Sequence, residues 1–238
     1  MMLAGNIGTL GPFHPVTDGK EAPMTRQDDI IDALIDESGV LYSEEIGANI
    51  ARDTPQELFH WLIASIMLSA RISAGNAVQG AAALREAGLH KIDAIQDAAW
   101  EDIVRVLNEN GYARYDESTA RYLQDMAAWA EETCDGDLRR LRDAAEDADA
   151  VLKALQGAKG LGPTGASIFA REAQLVWDVF YPRLDGPAEK QAKKMGLPDD
   201  AQKLAGAAGS RERFVRLVAA LTRVALDGPG PRVKDLTE

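Results

Sequence analysis

Residues 58–70, LFHWLIASIMLSA, leave this chain the fewest choices. Read as a helix, the stretch is apolar on nearly every side, and such a helix belongs in the middle of a fold. Thr54-Pro55-Gln56-Glu57 just before it has the form of a capping box with Pro at the first helical position. Elsewhere helical spacing of apolar residues dominates and strand signals are nearly absent. Thr25 is positioned to cap a helix carrying Ile30, Ile31, Leu34 and Ile35, ending near Gly39. Ser73 opens a helix through Val78 and Leu84, closed by Gly88. Asp97 is read as the cap of a helix with Ile103, Val104 and Leu107 inward, Asp116 of one with Leu123 and Met126 inward, and Asp137 of a short one. Pro187 opens a basic helix, and Ser210 a long one with Phe214, Leu217, Val218, Leu221 and Val224 inward. The expectation is an all-α chain of about ten helices, with residues 229–238 a frayed tail.

A second stretch, ALQGAKGLGPTGASIFAREAQLVWDVFYPRLD from Ala154 to Asp185, reads as a short helix, a glycine hairpin, a second helix and a turn ending on a carboxylate. Gly162 is the expected N-cap and Pro163 the first helical residue, where a missing N–H costs nothing. Ala166, Ile168, Phe169, Ala173 and Val176 make the apolar side. Glycines clear the backbone at a helix N-terminus, where free N–H groups and the helix dipole point the same way. That is an anion site, and a nucleic-acid phosphate is the expected guest.

GLGPTGA, Gly160 to Ala166, with Asp185 lying 23 residues beyond Gly162, resembles the endonuclease III-like helix-hairpin-helix superfamily of DNA glycosylases. Those proteins carry a catalytic Asp after a Gly/Pro-rich turn beyond the second helix. The resemblance therefore implies that Asp185 stabilises positive charge at the sugar C1′ during N-glycosidic hydrolysis. Read locally, Asp185-Gly186-Pro187 is also an ordinary turn with the Asp as a helix cap, and the family's usual Thr-His after the Asp is absent. Gly160 and Gly162 would hold a phosphate, with Lys159 adding charge or lying in solvent. LSARIS, Leu68 to Ser73, is similar to a family segment whose Gln fills the gap left by a flipped base; Arg71 stands there. Bifunctional relatives carry a Schiff-base Lys where this chain has Thr164, so the implied enzyme is monofunctional, without β-lyase activity. The implied fold has two lobes, 54–176 and 24–53 plus 177–228, behind a leader, 1–23, with lesion-bearing double-stranded DNA between them. A monomer is expected.

Net charge is −12, an awkward value for phosphate binding. Cations nevertheless cluster at Lys190, Lys193 and Lys194 and at Arg211, Arg213 and Arg216; the acids gather in 28–45 and 131–149. We take Lys190 and Lys194 as candidate DNA contacts. A catalytically silent DNA-structure binder on the same scaffold, or a helical protein-interaction module, stays open beside the glycosylase. Tyr112 and Tyr115 could stack on a base or fill seams between helices, and Trp61, Trp100, Trp129 and Trp177 look like packing. His14, His60 and His90 lie far apart without a partner pattern, and no zinc spacing or nucleophile–His–Asp signature is present. No run reaches the ~18 apolar residues of a membrane span, and 1–23 lacks the build of a signal peptide. A cytoplasmic, nucleoid-associated protein without metal or cofactor is expected.

Many of these relatives hold an iron–sulfur cluster on four cysteines. This chain has only Cys134, so purified protein should contain no stoichiometric iron or labile sulfide.

Overall fold

The computed structural model describes residues 26–238, and every regular element among them is helical. His14, Thr25 and the leader lie outside the described residues. Fourteen α-helices are present: α1 (Arg26–Ser38), α2 (Tyr42–Glu45), α3 (Pro55–Ser69), α4 (Ala74–Glu86), α5 (Ile92–Asp97), α6 (Trp100–Leu107), α7 (Asp116–Cys134), α8 (Arg139–Ala144), α9 (Ala148–Leu155), α10 (Pro163–Ala173), α11 (Gly186–Lys194), α12 (Ala201–Ala208), α13 (Arg211–Asp227) and α14 (Pro231–Thr237). The count exceeds the expected ten because several are one or two turns long. No helix among the described residues is long and apolar enough to cross a membrane.

The all-round apolar helix is α3, and every residue from Glu57 to Met67 is buried. Helices α4 and α10 pack directly against it. Its start differs from the capping-box reading: Pro55 is the first helical residue, but the Thr54 hydroxyl makes no cap bond. The Glu57 carboxylate accepts instead from the Asn49 N–H at 2.9 Å and from Arg85 at 3.0 Å. A buried carboxylate gains more from a guanidinium than from a backbone amide of its own turn. Three other caps move. Asp97 is the last residue of α5, and Ala99 stands before α6. Tyr115 holds the N-cap position of α7, and Asp116 follows inside the helix. Asp137 folds back on the Arg139 side chain and N–H, so α8 starts later.

Buried apolar side chains form two large groups. One gathers α3 to α10 around Trp61, Phe59 and Phe169. The other gathers α1 and α11 to α14 around Phe214, Ile31 and Leu34. Tyr42, Ile46, Ala48 and Ile50 pack in the first group, as do Trp177 and Phe180, across the sequence boundaries at 53 and 176. The tail expected to fray is α14, with Val233 fully buried. Glu37 of α1 accepts the first N–H groups of α14, from Arg232 at 2.9 Å and Val233 at 3.1 Å. Arg26, at the other end of α1, donates to the Leu236 carbonyl at 2.9 Å. An anion at the N-terminus and a cation at the C-terminus stabilise a helix too short to hold itself.

Two histidines that are distant in sequence meet. The rings of His60 and His90 are 5.4 Å apart, edge to face. His60 Nε2 lies 3.0 Å from the Ala81 carbonyl and Nδ1 lies 3.3 Å from the Arg85 guanidinium. A carbonyl only accepts and a guanidinium only donates, so His60 is neutral with its proton on Nε2. Burial pushes its pKa down to about 4. The unfolded chain protonates this imidazole near its ordinary value of 6.5 and the folded chain does not. Stability is thus present above pH 6.5 and is lost as the pH falls towards 4, by about 3 kcal/mol at most. Thermal unfolding followed between these limits should show a loss in wild type that His60→Gln reduces.

Candidate functional site

The hairpin before α10 is built by glycines that do different jobs. Gly160 has φ +89°, and a Cβ there would meet the Tyr122 ring at 2.7 Å. Gly157 is held close against Trp129, where a Cβ would come within 2.8 Å of the indole nitrogen. Gly162 is different. It is the N-cap of α10 with φ −81°, and a Cβ there would meet nothing within 4 Å. Neither backbone nor packing demands glycine at this position; its missing side chain clears space outside the protein. The N–H groups of Gly162, Thr164 and Gly165 have no hydrogen-bond partner among the described residues, while Ala166 N–H donates to Gly162.

From that start α10 presents Thr164, Ser167, Ile168 and Arg171 at helical spacing to one cavity of about 520 Å³. The volume suits a small-molecule guest, for which ~300–1,000 Å³ is usual. Asp185, Gly186 and Pro187 close the cavity from the start of α11, Thr222 and Leu226 from α13, and Leu68 and Ala74 from the ends of α3 and α4. It therefore lies where the two apolar groups meet.

Asp185 is buried, and both Nε and Nη2 of Arg171 contact its Oδ2 at 2.5 Å. Its Oδ1 accepts only a long 3.4 Å bond from the Ala188 N–H, as the N-cap of α11. The cap reading of Asp185 thus holds, and the carboxylate also faces a cavity. The rest of α10 and the turn after it fix this geometry. Gln174 accepts from the Arg183 N–H at 2.8 Å and donates to the Arg183 carbonyl at 3.0 Å, pinning the turn that delivers Asp185. Glu172, fully buried, accepts the N–H groups of Tyr42 and Ser43, each at 2.9 Å. Burial pushes its carboxyl above the usual range. This places Tyr42 in the cavity wall, with the Arg223 guanidinium 3.9 Å from its ring centroid and its hydroxyl buried without a partner among the described residues.

Of the residues nominated from sequence, Thr164 and Asp185 line the same cavity and Gly162 sits at its lip, next to the lining residue Pro163. Arg71 is exposed, lies in the chain between Leu68 and Ala74, and its guanidinium has no partner among the described residues. The Tyr115 hydroxyl reaches the Arg71 carbonyl at 3.5 Å, and the Arg114 guanidinium lies 5.4 Å from the Tyr115 ring centroid. This makes a basic, aromatic flank. Tyr112 is wholly buried, so of the two tyrosines only Tyr115 is available to a ligand. Lys159 is not at the cavity; its ammonium pairs with Asp125 at 2.8 Å on the surface. Lys190 and Lys194 are exposed on α11 and line no part of the cavity. Arg211, Arg213 and Arg216 are bound to Asp178, Asp32 and Glu44.

No family model, curated protein or solved structure matches the chain.

Sequence reading missed Arg171, Glu172 and Tyr42. For the first two a signal existed: adjacent charges inside an otherwise apolar helix need buried partners. Tyr42 reaches the cavity only through its contact with Glu172, which nothing local announces. Breaking the Arg171–Asp185 pair from one side leaves a buried unpaired carboxylate. Arg171→Ala should lower stability in denaturant unfolding by about 3–5 kcal/mol.

Proposed function

We propose that this chain is a monofunctional DNA glycosylase of the helix-hairpin-helix kind, acting on a damaged or mispaired base in double-stranded DNA. One observation carries the reading. Asp185, and Thr164 in the place of the relatives' Schiff-base lysine, line one cavity whose lip is a helix N-terminus cleared by Gly162. The residues that support it come from the family motif; the cavity joining them is independent of the motif.

In this mechanism the two apolar groups act as lobes and the duplex lies across their junction. A backbone phosphate sits against the free N–H groups of Thr164 and Gly165, where no Cβ of residue 162 interferes. The target nucleotide leaves the stack and its base enters the cavity. Arg71, exposed and without a side-chain partner among the described residues, is available to fill the vacated space. As the bond from C1′ to the base lengthens, positive charge grows on the sugar, and the Asp185 carboxylate stabilises it. Water adds its oxygen to C1′; its proton and the bond's electron pair balance on the departing base. A threonine hydroxyl cannot form an imine, so the strand stays intact. The acidic body is reconciled with DNA by pairing: the acids neutralise most arginines on other faces and leave the cavity's flank basic. A monomer working in the nucleoid fits this reading.

The two Arg171 contacts on Asp185 Oδ2 favour a second reading, a catalytically silent DNA-structure binder, because a paired carboxylate has less charge to offer C1′. One set of assays separates them. Wild type should bind duplex with an affinity that falls by about 10³ between about 50 and about 200 mM salt if roughly six phosphates are contacted. Gly162→Asp, which folds into open space, should abolish that binding. Asp185→Asn should keep binding and lose base release by about 10² or more. The product should be an intact abasic site that breaks only in hot alkali, with no borohydride-trapped adduct. Binding without release from any lesion makes the silent binder correct, and salt-insensitive or absent binding makes the chain a protein-interaction module.

A further inference from the structure

The cavity wall is short of free polar groups. No side-chain amide lines it. Asp185 and Arg171 hold each other, and the Thr222 hydroxyl donates to the Val218 carbonyl at 2.9 Å. The Tyr42 hydroxyl is closed off by burial. Thr164 and Ser167 remain, both in the first half of α10, at the end where the backbone phosphate is placed. The rest of the wall is aliphatic: Leu68, Ala74, Ile168, Pro187 and Leu226 come from five different helices. Leu226, on the last turn of α13, is 63% exposed. A lone exposed leucine is ordinary, but this one lines a cavity and offers its surface to whatever enters. The volume of about 520 Å³ suits a guest larger than a bare planar base.

We propose that the cavity takes a damaged base carrying an uncharged alkyl chain of two or more carbons, and that Leu226 receives that chain. The inference rests on the glycosylase reading and names its substrate class. Two effects separate such a base from undamaged ones. An undamaged base carries a rim of donors and acceptors that must leave water, and this wall has too few free partners to replace them. Alkylation of an exocyclic oxygen, as in O6-alkylguanine, removes the N1–H donor, turns the carbonyl into an ether and adds hydrocarbon. Each added carbon that is buried then gains about fourfold in binding. Among undamaged bases only thymine carries an alkyl group, a single methyl, so a longer chain marks the damage. A charged adduct would share the wall with the Arg171 guanidinium, which disfavours it.

The test uses full-length wild type and Leu226→Ser with duplexes carrying guanine, O6-methylguanine, O6-ethylguanine or O6-butylguanine at one position. Each is made twice, with the natural sugar for base release and with a 2′-fluorine for binding competition. The fluorine destabilises the cationic transition state and leaves the complex intact. Leu226 is exposed, so Leu226→Ser should melt with wild type. Wild-type affinity should rise from methyl to butyl by up to about 60-fold, about fourfold per added carbon, and guanine should bind most weakly. Leu226→Ser should lose about tenfold for butyl and no more than about twofold for methyl. Extrusion costs the same for both proteins, so the difference between them reads the wall alone. A series that is flat in wild type, that falls with chain length, or that rises equally in Leu226→Ser overturns the inference. A rise that depends on Leu226, with no release of any base, leaves the inference standing and overturns catalysis. Base release with a flat series leaves the glycosylase standing and overturns the inference. Absence of duplex binding overturns both.

Discussion

Three polar side chains around the C-terminal end of α10 anchor the segments that close the cavity. Arg171 reaches Asp185, Glu172 reaches the backbone at Tyr42 and Ser43, and Gln174 grips the backbone of Arg183. All three are buried. A buried charge or amide without a partner costs several kcal/mol, and these can be satisfied in only one arrangement. The junction between the groups is therefore fixed by directional bonds as well as by apolar contact. The same helix starts at the open glycine cap and presents Thr164 and Ser167 on the way. The anion-binding end, the cavity wall and the structural anchor share one rigid rod of eleven residues, so their spacing cannot drift.

Charge follows the same logic. The arginines of α13 form intramolecular bridges: Arg213 to Asp32, Arg216 to Glu44 and Arg223 to Glu45. These tie α13 to α1 and α2, and they use Asp32, Glu44 and Glu45 of the acidic run at 28–45 that looked opposed to nucleic acid. Arg71 has no such partner among the described residues. Net charge thus says little about the local field at the cavity, because screening confines exposed charges to about a Debye length, ~10 Å.

The helical class, the central α3, the Gly162–Pro163 start of α10 and the inward stripe of α13 were legible because each is set by local pattern: apolar periodicity, or a cap within three residues. Two of the misread caps share one cause. Asp116 and Asp137 have the right chemistry for capping, but competing partners took their carboxylates: Asn108 for Asp116 and Arg139 for Asp137. At the site, Gly162, Thr164 and Asp185 were legible through a motif, while Tyr42, Thr222 and Leu226 arrive from both ends of the chain. Helix α14 was illegible for the same reason: Glu37 and Arg26, which stabilise it, lie nearly the whole chain away.

That wide separation orders the assembly of the molecule. Helices α3 to α10 are contiguous and can pack as they leave the ribosome. Helix α1 emerges first and must wait for α11 to α14, some tens of seconds at ~5–20 residues per second. During that interval Ile31 and Leu34 have no core to enter, and Glu37 and Arg26 have no helix to clamp. The nascent chain carries a finished glycine hairpin but only half a cavity, since Asp185, Thr222 and Leu226 are still missing or unplaced. Vectorial synthesis thereby completes the cavity only after α13 has emerged, well after its glycine hairpin has formed.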